Sequence, residues 1–66
     1  MNFVYLRCQG EWDDMVIILK KKDAISESLT YPNIRIEIFA KGKNGYTPTY
    51  NYYKNGKLYI NIYKKL

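Results

Sequence analysis

Along most of the chain, apolar and polar positions alternate with the two-residue period of strands. In NFVYLRC (2–8), Val4, Leu6 and Cys8 fall on one side and Phe3, Tyr5 and Arg7 on the other. QGEWDD (9–14) follows as a turn, with Gly10 and two aspartates supplying the turn chemistry. In MVIILKKKDAISESL, the β-branched run Val16-Ile17-Ile18 favours a strand over 15–20 that forms a hairpin with the first. Asp23 then caps a short helix reaching Thr30, with Ala24, Ile25, Ser28 and Leu29 inward and Pro32 as the stop. A single helix over 12–29 competes with this division, but it would place Lys22 on its apolar stripe.

NIRIEIFAK (33–41) is the clearest strand. Ile34, Ile36, Ile38 and Ala40 form its core side, and Arg35, Glu37, Phe39 and Lys41 the other. KGKNG (41–45) reads as a basic hairpin loop; it lacks the GK[ST] ending of a phosphate-binding loop. In the last stretch Asn55-Gly56 is a type I′ hairpin signal, because both central positions of that turn need positive φ. It sets Lys54 opposite Lys57, Tyr53 opposite Leu58 and Tyr52 opposite Tyr59. Continued outward, the register places Asn51 opposite Ile60 and Pro48 opposite Tyr63. Tyr53 then joins an aliphatic face, while Tyr50, Tyr52, Tyr59 and Tyr63 gather on the other with Lys54 and Lys57.

The predicted fold is α+β. It is a small single-layer antiparallel sheet with one short helix, in the order β-β-α-β-β-β. One short helix covers one face of a sheet. The expected core is the aliphatic side of every strand. The opposite face collects the candidate binding residues Tyr5, Arg7, Arg35, Tyr50, Tyr52, Lys54, Lys57, Tyr59 and Tyr63, and it is expected to be open or covered by a second subunit.

Composition adjusts this picture. Sixty-six residues make a single domain that buries only about 60% of its unfolded surface. Such domains are usually reinforced by disulfides, metal or self-association. Cys8 is the one cysteine and there is no histidine, so the first two are disfavoured and a homo-oligomer is expected. No cofactor or metal is implied. No apolar run approaches the ~18 residues of a membrane span and no leader pattern opens the chain, so the expectation is cytoplasmic, without a membrane partner.

The formal charge of +5 favours anionic partners, yet it also lies within the ordinary range of soluble small domains. Catalysis finds no constellation. Cys8 reads as an inert core thiol, Glu11, Asp13 and Asp14 around Trp12 as a solvated acidic turn, and Lys20–Lys22 as a solvated strand end. The expectation is therefore a non-enzymatic, oligomeric binding module that acts on a host protein through its aromatic and basic face. Its size, its charge and its Lys-, Asn-, Ile- and Tyr-rich, AT-coded composition resemble in type the small regulators of phages and mobile elements. Sequestering an anionic nucleotide or cyclic nucleotide is one alternative, and binding single-stranded nucleic acid is another.

Overall fold

The Asn55-Gly56 dipeptide closes its hairpin with φ of 51° and 79°, the two positive values a type I′ turn requires. In the computed structural model, which describes residues 2–7 and 15–60, this hairpin is the end of a five-stranded antiparallel sheet with one helix. The elements are β1 (Phe3–Arg7), β2 (Val16–Ile18), α1 (Lys21–Thr30), β3 (Ile36–Gly42), β4 (Gly45–Lys54) and β5 (Lys57–Tyr59). Their spatial order is β2-β1-β3-β4-β5, so α1 carries the chain across β1 before β3 begins. The last hairpin has the register read from its turn, with Lys54, Tyr53 and Tyr52 opposite Lys57, Leu58 and Tyr59. The outer pairings expected for 61–63, together with Cys8 and the 9–14 turn, lie outside the described residues.

The helix begins two residues before the expected Asp23 cap. Lys20 occupies the N-cap in an extended conformation and makes no side-chain capping bond. Its carbonyl accepts the Ala24 N–H at 3.0 Å, the first helical hydrogen bond. Asp23 instead lies in the first turn, where its carboxylate opposes the positive end of the helix dipole. The helix ends at Thr30, two residues before Pro32, and the Tyr31 N–H donates to Glu27 O at 3.0 Å.

Ala24 and Ser28, one helical turn apart, are fully buried against the sheet, and Ile25 is half-buried beside them. Leu29, expected inward, is exposed. It lies over the hairpin turn: a Cβ at Gly56 would come within 2.8 Å of Leu29 Cδ2.

Ser28 ties helix to hairpin. Its hydroxyl donates to Ile25 O at 2.7 Å and accepts the Gly56 N–H at 2.9 Å. A buried hydroxyl with both functions met stabilises; its loss leaves the Gly56 donor without this acceptor. Ser28→Ala is expected to lower unfolding free energy by about 1–2 kcal/mol, read from the urea midpoint at constant slope.

The two faces of the sheet follow from register, because opposed residues share a face. One row runs Val16–Arg7–Ile36–Tyr53–Leu58 across all five strands. This face carries the helix, and the core there is Tyr5, Ile18, Ala24, Ile36, Ile38 and Tyr53. The adjacent row, Ile17–Leu6–Glu37–Tyr52–Tyr59, lies on the other face.

Here β1 corrects the sequence reading. Tyr5 and Arg7, expected opposite the core, are on the helix side, while Val4 and Leu6, expected in the core, face away from the helix. Tyr5 is 6% exposed and sits between Ile18 and Ile38. The reason is the composition of this strand. Both alternating sets of β1 contain large apolar groups, so burial could be satisfied either way, and pairing with β3 decides. Arg7 accepts this position because the helix brings Glu27 Oε2 to 3.4 Å from its Nε and Tyr31 places its ring 4.3 Å from the guanidinium carbon.

β3 and β4 depart from regular pairing once. Between the pairs Glu37–Tyr52 and Phe39–Pro48 the chain advances four residues on β4 and two on β3. The excess of two residues preserves the alternation of faces on either side, since the side-chain period is two. Tyr50 lies within this bulge at φ 67°, a left-handed conformation unusual for an aromatic residue. The Thr49 hydroxyl braces it, donating to Ile38 O at 2.8 Å and accepting the Asn51 N–H at 3.1 Å.

Candidate functional site

The face away from the helix is built from alternate residues of every strand. Its central row places Ile17 and Leu6 at one end and Tyr52 and Tyr59 at the other, with Glu37 between. A second row brings Val4, Phe39 and Pro48 together. Ile17 is 63% exposed and Tyr59 42%, while Leu6, Phe39 and Tyr52 are half-buried among their neighbours. An open depression of about 510 Å³ lies among Leu6, Met15, Ile34, Arg35, Glu37 and Phe39.

Arg35 organises the centre of this face. Its Nε is 3.1 Å from Glu37 Oε2, and its guanidinium lies 4.6 Å from the centre of the Tyr52 ring. The Tyr52 and Tyr59 rings stack at 5.1 Å with 10° between their planes. Because β4 lies between β3 and β5, Arg35 and Tyr59 approach Tyr52 from opposite sides. The result is a three-layer stack of guanidinium, phenol and phenol. It restrains three long side chains together, which lowers the entropy cost of a contact made over them. Lys54 and Lys57 oppose each other at the hairpin end of the same face and add positive charge there.

Of the residues proposed from sequence, Arg35, Tyr52, Lys54, Lys57 and Tyr59 thus share one face. Tyr50 is exposed in the β4 bulge. Tyr5 and Arg7 do not join them. Tyr5 is in the core under the helix, and Arg7 is engaged with Glu27 and Tyr31. Burial, with a smaller contribution from neighbouring Tyr53, raises the Tyr5 phenol above its usual range and keeps it neutral. Tyr63 lies outside the described residues, as do Cys8, Glu11, Trp12, Asp13 and Asp14.

Sequence reasoning missed Leu6 and Ile17 as surface residues. The signal was present: in β1 every position from Phe3 to Leu6 is apolar or aromatic, as expected of a strand whose two faces both carry apolar surface.

No family model matches the chain, and neither a curated protein nor a solved structure is significantly similar to it. Among the described residues, no helix is long and apolar enough to cross a membrane.

Proposed function

We propose that the protein is a small, non-enzymatic, oligomeric binding module that acts on a host protein through the sheet face away from its helix, as small regulators of phages and mobile elements do. The observation that carries this reading is the row Ile17–Leu6–Glu37–Tyr52–Tyr59, which continues across five strands on the side opposite α1.

Magnitudes favour a protein partner over stacked bases. A base stacked on an aromatic residue contributes roughly 1–3 kcal/mol, but it needs a ring face to stack on. Both faces of Tyr52 are engaged, by Arg35 and by Tyr59. The pair therefore offers one outer ring face rather than a run of platforms. Covering Ile17 and Leu6, by contrast, is worth up to about 1.5–3 kcal/mol for each side chain taken fully out of water. Tyr52, Tyr59 and Arg35 are also of the residue types that most often anchor protein contacts, and Arg35 pairs with the one carboxylate in the row, Glu37.

The test is a photo-reactive phenylalanine analogue at position 59, irradiated in the cells that make the protein, with Ser26 on the exposed side of the helix as control. Position 59 is expected to give one defined host-protein adduct that Ile17→Glu removes, and position 26 none. Equal labelling from both positions would sink this reading. An adduct only with a second copy of the chain would leave the face as a subunit contact instead.

A further inference from the structure

A second concavity lies on the opposite side of the sheet, beside the N-terminal end of α1, with a volume of about 260 Å³. Its apolar lining comes from Phe3, Ile38, Leu58, Ile60 and the rings of Tyr5 and Tyr53. The two tyrosine rings are 6.2 Å apart and inclined by 48°. Phe3, Leu58 and Ile60 are each about half exposed there, with 46%, 50% and 57% of their surface accessible. The polar lining is Lys21, Thr49 and Asn51. No acidic residue is among these nine, so the Lys21 ammonium sets the sign of the groove.

The backbone around it is specialised. The two extra residues of β4 fall where Thr49 and Asn51 line the groove, and Tyr50 between them holds its left-handed conformation. For a bulky side chain that conformation costs about 1–3 kcal/mol and persists only where the surroundings enforce it; such strain concentrates at ligand sites. The Thr49 hydroxyl, bonded both to Ile38 O and to the Asn51 N–H, is that enforcement.

We propose that this groove binds a small planar aromatic anion, one ring or a fused pair bearing a carboxylate or phosphate, with the ring against the aromatic and aliphatic lining and the charge at Lys21. The volume is slightly below that of common ligand pockets, about 300–1,000 Å³, and so selects a compact ring system. The neutral Tyr5 phenol presents no competing negative charge. This site is independent of the face proposed to contact a host protein, since it lies on the other side of the sheet and shares no residue with it.

The experiment is an amide-resonance titration of the full chain with four probes: adenosine monophosphate, indole-3-carboxylate, adenosine and inorganic phosphate. At least one aromatic anion is expected to move the amides of Ile38, Thr49, Asn51 and Leu58, and to bind about tenfold or more tightly than adenosine or phosphate. Which anion binds better distinguishes a nucleotide from an aromatic acid. Lys21→Ala is expected to weaken binding about tenfold, and Lys22→Ala to leave it unchanged. Both lysines are exposed, so both variants are expected to fold, with circular dichroism as the check. The proposal is overturned if neither anion shifts these amides, if phosphate alone shifts them equally, or if Lys21→Ala has no effect. Nuclear Overhauser contacts from residues 61–66 to Ile38 and Thr49 would also overturn it, because the chain itself would then fill the groove.

Discussion

Ile36→Ala is expected to leave the chain largely unfolded at 37 °C. Ile36 has no exposed surface and lies on the central strand, between Arg7 of β1 and Tyr53 of β4 in the row beneath the helix. Removing a buried isoleucine side chain down to alanine costs about 2–5 kcal/mol, from lost transfer free energy plus the cavity left behind. A core of this size rarely supplies more than about 3–5 kcal/mol in total. The loss therefore matches the whole stability of the domain. Ile36→Val should cost only about 0.5–1.5 kcal/mol and remain folded. Ile17→Ala, on the other face and mostly exposed, should shift the urea midpoint far less than either. A folded Ile36→Ala protein with a near-normal midpoint would refute the placement of the core.

The second large effect concerns Arg7, which the sequence suggests as a binding residue and the structure makes a structural tie. Its side chain is 12% exposed, and its partner Glu27 is 27% exposed. Arg7→Glu would place two carboxylates together in that partly buried site and remove the contact with Tyr31. We expect a loss of about 2–4 kcal/mol, from the like charges brought together and the lost ion pair and ring contact. The exchanged double variant, Arg7→Glu with Glu27→Arg, should recover part of it, and the double-mutant cycle measures the coupling directly. Cross-linking from position 59 should persist in whatever fraction of Arg7→Glu remains folded. Lost cross-linking from a fully folded Arg7→Glu protein would return Arg7 to the contact surface.

Much of the candidate surface was legible in the sequence because a short-range device specified it. A two-residue type I′ turn fixes which residues of β4 and β5 oppose each other, so Tyr52 with Tyr59, and Tyr53 with Leu58, follow from Asn55-Gly56 alone. The Tyr50 bulge was not legible. Nothing in TPTYNYY marks two surplus residues, because their number preserves the alternation that a pattern reading relies on. The start of the helix was also misplaced, since Asp23 has the chemistry of a cap but the Lys20 carbonyl already accepts the first helical bond.

The sequence by itself determined the local elements of this protein. Pro32 ends the helix, the β-branched run over 16–18 forms a strand, and Asn55-Gly56 sets a hairpin and its faces, each through steric or hydrogen-bonding rules that act within a few residues. Only the tertiary structure decided which side of β1 meets the helix. Both sides of that strand are apolar enough to be buried, so its own alternation is symmetric. The choice came from pairing Tyr5 with Ile38 and Arg7 with Ile36, and from a helix that brings Glu27 to Arg7. That choice buries Tyr5, ties down Arg7, and turns Leu6 and Ile17 out onto the face that carries Tyr52 and Tyr59.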